Sequence, residues 1–176
     1  FSGANLKGAN LNRAHNVTCE QIQSAVIDKS TQLPDYILLA ESSSSQFSCI
    51  NMMKGKGVDL KGVNLTKAYL FNADLRDANL SNANLTGTNL QYAKLTNANL
   101  SNANLTEANI RQAKLTNANL SDADLTGANL KEAEFGGTDF SNTILNRANL
   151  SKALNVTCEQ IQSAVIDKST QLPDYI

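Results

Sequence analysis

From Leu60 to Leu150 a large apolar residue stands at every fifth position, nineteen times without a miss. The series opens with Leu60, Leu65, Leu70, Leu75 and Leu80 and passes through Ile110, Phe135 and Phe140 to Leu145 and Leu150. Two residues before each stands a small or modest side chain, such as Val58, Val63, Ala68, Ala73 or Ala78, with Thr88, Thr138 and Thr143 as larger variants. The residue just before the large one is usually Asn or Asp. The unit therefore reads A-[ND]-L-[ST]-[NDGK], as in Ala98-Asn99-Leu100-Ser101-Asn102. Five matches neither the helical period of about 3.6 nor the strand period of about 2.0. On a helix every fifth residue would wander over the whole surface, and on a flat strand it would alternate faces. A fixed short period points instead to a solenoid whose chain turns a corner once per unit, so that each Leu faces inward again.

These residues resemble the pentapeptide repeat family over about half of the chain. The resemblance implies an all-β solenoid: a right-handed quadrilateral β-helix with one pentapeptide per side, four per coil, and short α-helical caps. The central Leu then fills the axis, and the residue two before it is small because a narrow coil leaves little room. Asn, Asp, Ser and Thr suit the outward and corner positions, where their side chains bond nearby backbone.

Residues 1–37 repeat residues 140–176, and Asn16–Ile37 is identical to Asn155–Ile176 over 22 positions. Phe1, Leu6 and Leu11 are again five apart, so residues 1–13 read as sides of a coil. Two accounts fit. In one, 1–37 is the tail of a preceding unit in a tandem array of period 139. In the other, a single solenoid carries residues 14–57 as an insertion. Each copy of the tail reads as a capping helix. Thr18 and Gln21 form a capping box, as do Thr157 and Gln160. Ile22, Ala25 and Val26 lie on one helical face, as do Ile161, Ala164 and Val165. Lys29 and Lys168 come near the helix end, and the Leu-Pro-Asp-Tyr runs at Leu33 and Leu172 stop it. Such a cap covers the open edge of a solenoid. The T-C-E-Q…L-P-D-Y ending resembles cyanobacterial members of the family. The expected organisation is a partial coil and tail over 1–37, a linker or N-terminal cap over 38–57, the β-helix over 58–153, and a closing helix and tail over 154–176. In 38–57 the Ser42–Ser45 run is flexible by composition, whereas Leu38, Leu39, Phe47, Ile50, Met52 and Met53 are expected to fold partly over the first coil at Val58–Gly62.

Composition narrows the function. The chain has 15 basic and 16 acidic residues, and residues 58–152 hold nine of each. A neutral rod is weak ground for binding nucleic acid and equally weak for an acidic mimic of DNA. No apolar run reaches the length of a membrane span. The first residue is Phe, which reads as a processed or excised piece, so the compartment is left open between cytoplasm and, after removal of a signal peptide, periplasm or thylakoid lumen. Cys19, Cys49 and Cys158 have no metal-site spacing; they are either all free thiols or include a single bridge.

No catalytic constellation emerges, and no cofactor or metal is expected. The lone His15 is replaced by Leu154 in the second copy of the tail, so the tail does not require it. Lys54-Gly55-Lys56-Gly57 lacks the spacing of a phosphate loop. Asp122, Asp124, Glu132 and Glu134 cluster in sequence and read as a solvated face around Lys131. The Asn-x-Ser/Thr triplets, such as Asn84-Leu85-Thr86, are by-products of the repeat. If four units make a coil, every fourth unit shares a side. Ser81 to Ser141 and Thr66 to Thr126 then form two uniform ladders, and Asp74, Lys94, Lys114 and Glu134 a mixed-charge column. The remaining side differs: Tyr69, Phe71, Gln91, Tyr92, Arg111, Gln112, Lys131 and Glu132 form a candidate binding face, because outward aromatics beside Arg and Gln are the composition of an interaction patch. The expected function is a non-enzymatic scaffold for protein–protein interaction, with end-to-end or tandem association as a further mode of contact. A DNA-mimic modulator of a topoisomerase, and an ice- or surface-binding protein using the Ser/Thr ladders, are the alternatives.

Overall fold

The computed structural model describes residues 3–11, 25, 31–32, 37–41, 47–51 and 57–176, with the backbone alone in the two strands below. Outside the described residues lie His15, the first copy of the capping helix with Cys19, the Leu33–Tyr36 run, Ser42–Ser45, Met52, Met53 and Lys54–Lys56. The chain forms two compact units, Phe1–Lys54 and Gly55–Ile176.

In the second unit the backbone closes a square every four repeats. The residue before each core Leu bridges in parallel to its counterpart one coil on: Asp59 to Asn79, Asn64 to Asn84, Tyr69 to Asn89 and Asp74 to Lys94. On each side the Leu N–H donates to the next coil, as Leu60 does to the Asn79 carbonyl at 2.7 Å, and Asn79 N–H donates back to the Val58 carbonyl at 2.9 Å. Each corner is a β-turn: Val63 N–H donates to the Leu60 carbonyl at 3.2 Å, and Gly62 N–H reaches the Ser81 carbonyl of the next coil at 2.9 Å. The third turn residue has positive φ all along the rod, from Gly62 (+66°) through Asn102 (+56°) to Lys152 (+60°), while the second does not. That is the signature of a type II turn. The fifth letter of the repeat is therefore often Gly, Asn or Asp because those residues reach the left-handed region most readily.

The Asn-Leu-Ser/Thr order has a local cause. Asn64 Oδ1 accepts the Thr66 N–H at 3.1 Å and its hydroxyl at 2.7 Å. Asn79 does the same for Ser81, Asn84 for Thr86 and Asn104 for Thr106. Each is an Asx turn that pre-forms the corner.

Inside, every large residue from Leu60 to Leu150 is 3% exposed or less, and the repeat alanines from Ala78 to Ala153 are equally dry. Threonine takes the small position without an unpaired hydroxyl: Thr88, Thr138 and Thr143 donate to the Leu65, Leu115 and Leu120 carbonyls of the coil before, at 2.7–2.8 Å. Phe135 and Phe140 meet near the closed end with ring centroids 5.1 Å apart.

The closing tail begins with one short helix, α1, Cys158–Ser163. Its capping box is formed: Gln160 N–H donates to Thr157 Oγ1 and Thr157 N–H to Gln160 Oε1. The same Gln160 side chain donates through Nε2 to the carbonyls of Phe135 and Thr138, so it also satisfies acceptors of the coil it covers. The helix is shorter than the sequence suggests. It ends at Ala164, whose backbone is extended, ahead of the Leu172-Pro173 run and of Lys168, which is not at a helix end. Val165 is not on a buried helical face either: it is half exposed and bridges Ile144 in the place of one more repeat side. A β-branched residue beside an open β edge gains more from pairing than from a further helical turn. Gln171 bridges Asn149, and Tyr175 Oη donates to the Ala153 carbonyl at 2.7 Å while accepting the Val156 N–H at 3.1 Å.

The first unit shows the same closing bonds. Asn10 bridges Gln32, Gln32 N–H donates to Ala9, Leu11 N–H to Gln32, and the Thr31 hydroxyl to Leu6. These match Asn149–Gln171, Gln171–Ala148, Leu150–Gln171 and Thr170–Leu145 bond for bond. Leu6 and Leu11 are only half-buried, whereas Leu145 and Leu150 are fully enclosed. Residues 37–51 hold a feature the composition did not suggest: β1 (Ile37–Glu41) and β2 (Phe47–Asn51) pair antiparallel, Leu39 opposite Cys49. Both strands fall in or next to the segment expected to be a linker or cap.

Three outcomes are expected. Leu100→Ala should lower unfolding free energy by about 2–5 kcal/mol in urea titrations, because a stacked column cannot collapse into the gap. Asn102→Gly should be near neutral, whereas Asn102→Val should cost about 1–2 kcal/mol by the same measurement, since its φ stays positive. Asp139 is held below the usual carboxylate range by the Ser141 hydroxyl and N–H, and Asp167 by the Arg147 N–H above all. A depressed folded pKa stabilises above the unfolded value of about 3.9, and the contribution is lost as pH falls through the folded value. The melting temperature should therefore hold from neutral pH to about 5 and fall below about 4, with a shallower fall in the Asp139→Asn/Asp167→Asn double variant.

Candidate functional site

One corner of the rod is chemically unlike the other three. It follows the side holding Leu70, Leu90, Ile110, Leu130 and Leu150. Its second turn position carries Phe71, Gln91, Arg111, Lys131 and Ser151; its third carries Asn72, Tyr92, Gln112, Glu132 and Lys152. Since four repeats make a coil, the fold stacks these side chains in two adjacent columns. Tyr69 joins them from the bridge position before Leu70. All eight residues of the candidate face thus lie along one edge.

Its upper half is aromatic. Tyr69 and Phe71 stack nearly parallel, centroids 5.9 Å apart, and Phe71 meets Tyr92 edge-on at 5.3 Å. Yet Tyr69 remains 71% exposed and Phe71 and Tyr92 42% each, so the cluster is open to solvent. Its lower half is charged. Arg111 Nη2 contacts both carboxylate oxygens of Glu132, the nearer at 3.1 Å. Arg111 Nε and Gln112 Oε1 are buried with no hydrogen-bond partner in the protein among the described residues. Lys131 and Lys152 form no ion pair among the described residues.

The backbone marks the same corner. At the other corners the positive-φ position is dominated by, or interleaved with, Asn, Asp and Gly, such as Asn82, Asn102 and Asp122, or Gly87 and Gly127. Here Tyr92 (+62°), Gln112 (+58°), Glu132 (+62°) and Lys152 (+60°) occupy it in succession. Each of these side chains forgoes the relief that Asn or Gly would give, at about 1–2 kcal/mol apiece. Composition pointed to this face, but the backbone strain was not read from the sequence. The signal was present in the fifth letter of each unit, as a run with neither Asn nor Gly.

The other sequence candidates separate. Asp122, Asp124, Glu132 and Glu134 point from successive corners and sides and do not converge. Asp122 accepts the Asn142 amide, Asp124 the Thr126 N–H, while Glu132 pairs with Arg111 and Glu134 with Lys114 at 3.9 Å. Among the described residues no group of His, Cys, Asp and Glu could hold a metal ion. Along the ladders the hydroxyls of Thr66, Ser81, Thr86, Thr106 and Ser141 turn back onto their own Asx carboxamide or carboxylate. In the mixed-charge column Asp74 is held below its ordinary pKa chiefly by the Arg76 guanidinium. Cys158 is a free, exposed thiol. No described helix is long and apolar enough to cross a membrane.

The family model for pentapeptide repeats matches eight copies, over residues 56–87, 83–122 and 123–154. Among solved structures the chain is similar to a pentapeptide repeat protein from the Arabidopsis thaliana thylakoid lumen, at 25% identity over 68% of this chain and 86% of that one, with a TM-score of 0.52. It is also similar to a pentapeptide repeat protein from the cyanobacterium Cyanothece, at 30% identity over 66% and 88%, with a TM-score of 0.45. QnrB1, a plasmid-mediated fluoroquinolone resistance protein, matches at 17% identity over 98% and 93%, but a TM-score of 0.39 is too loose to carry a functional argument. No curated protein sequence matches the chain. With residues 56–154 matched and a backbone that closes a square every four repeats, the chain belongs to the pentapeptide repeat family, and its rod is a right-handed quadrilateral β-helix.

Proposed function

We propose that the protein is a non-enzymatic scaffold that binds a protein partner through the corner formed by Tyr69, Phe71, Gln91, Tyr92, Arg111, Gln112, Lys131 and Glu132. One observation carries the reading: Phe71 meets both Tyr69 and Tyr92, yet all three rings stay exposed, on a rod whose large axial residues are dry. Exposed aromatics beside an arginine are the residues that most often dominate binding energy at protein interfaces. The strained backbone under Tyr92 supports it, because an Asn there would relieve the turn and remove the ring.

The alternatives fit less well. A mimic of DNA needs an acidic rod, and residues 58–152 carry nine charges of each sign. A crystal-binding ladder needs hydroxyls free to face outward, and those of Thr66, Thr86 and Thr106 are engaged in Asx turns. For the domain organisation, we read 1–37 as a partial coil with its own closing tail, 38–57 as the connecting segment, 58–153 as the β-helix and 154–176 as its closing tail. The matching bonds of the two tails support that reading over an insertion within one solenoid.

Affinity capture with the whole chain, beside Tyr92→Asn and Arg111→Ala, tests the binding corner. Tyr92→Asn should keep or raise the melting temperature, and both variants should lose the captured protein. A capture profile identical for all three proteins removes the corner from consideration.

A further inference from the structure

Resting on that reading, we infer that the partner presents an acidic extended segment: an aromatic or large aliphatic residue separated by three to four residues, in either chain direction, from one or more carboxylates. The corner is graded along the axis. Aromatic rings occupy its first two coils, and Arg111, Lys131 and Lys152 occupy the next three, opposed only by Glu132. Glu132 is already matched by Arg111, which leaves Lys131 and Lys152 as positive charge with no ion pair among the described residues. Arg111 holds Glu132 through Nη2 alone and its side chain is 40% exposed, so the guanidinium is not fully used by that pair. A carboxylate arriving at the exposed part of the guanidinium can take a charge-assisted N–H bond there.

Coil spacing sets the register. Adjacent coils lie about 4.8 Å apart, so Tyr92 is about 10 Å from the coil of Lys131 and about 14 Å from that of Lys152. An extended peptide advances about 3.3 Å per residue, which covers those distances in three to four residues. Charge complementarity and the order of the two halves thus fix the chemistry of the segment and the spacing between its apolar and acidic ends, in either chain direction. Single-stranded nucleic acid shares the need for rings and cations, but Glu132 lies within this corner and the rod is neutral, which favours the peptide.

The test is a random-peptide display selection on the whole chain, followed by fluorescence-polarisation titration of the enriched peptides and of a labelled single-stranded oligonucleotide. Enriched peptides should carry Asp or Glu three to four residues from an aromatic or aliphatic anchor, on either side of it. Their affinity should fall at least about tenfold in Lys131→Glu, fall again in Tyr92→Asn, and weaken as salt rises toward about 0.3 M. Peptides without acidic residues whose binding is still lost in Tyr92→Asn would overturn the acidic segment and leave the binding corner standing. Enriched peptides indifferent to both variants, or no enrichment, would overturn both. Oligonucleotide binding that displaces the peptides and vanishes in Lys131→Glu would replace the peptide with a nucleic-acid partner. Circular dichroism of each variant at the wild-type melting temperature or above excludes misfolding as the cause.

Discussion

A chain that turns a right angle once per repeat leaves room for only one bridging residue on each side. In this rod that residue is Asp59, Asn64, Tyr69 or Asp74 and its successors, each flanked by two or three backbone hydrogen bonds to the next coil. So thin a ladder cannot hold a sheet alone. What makes it cooperative is the dry column of leucines at the axis, where each side chain packs on the coils above and below. The corner and the column depend on each other. The left-handed residue swings the chain so that the next Leu points inward, and the packed Leu holds that residue in an otherwise unfavourable conformation.

This division of labour explains where the chain is uniform and where it varies. The Leu and Ala positions are constrained by volume, and the Asx position by its bond to the N–H two residues on. Only the two outward turn positions are sterically free, and even there the left-handed one favours Asn, Asp and Gly. A succession such as Tyr92, Gln112, Glu132 and Lys152 runs against that local preference. Departures of this kind, in a repeat otherwise consistent at every level, are where function is to be sought. The aromatic-to-basic gradient coincides with this strained column, which is why composition and backbone geometry converge on one edge.

The ends obey different rules from the middle. The last coil has carbonyls and apolar surface with no successor, and the tail answers both with few residues: Gln160 reaches Phe135 and Thr138, Val165 and Gln171 replace repeat residues at the bridge, and Tyr175 ties the turn at Ala153 to Val156. Among the described residues the first unit repeats part of this pattern: Thr31 and Gln32 bond Leu6 and Ala9 as Thr170 and Gln171 bond Leu145 and Ala148. The closing tail is a transferable module, because its contacts are to backbone groups that every coil presents.

By itself the sequence determined the solenoid. A leucine at each fifth place, a small residue two before it and an Asn just ahead are each sufficient signals of local packing, and the Thr157–Gln160 box marked its helix start through side chains only one helical turn apart. Tertiary structure decided what depends on groups distant in the chain. The helix stops at Ser163 because Val165 finds an edge at Ile144, and Gln160 gains its second role from the Phe135 and Thr138 carbonyls, more than a full coil back along the chain. Ile37–Glu41 and Phe47–Asn51 pair as a hairpin across a connection that reads as flexible. The acidic residues near Glu132 part company because neighbours in sequence sit on different sides of a square. Local spacing fixes the path of one coil, but which groups then face each other is set by the closure of that path, and closure is a property of the whole turn.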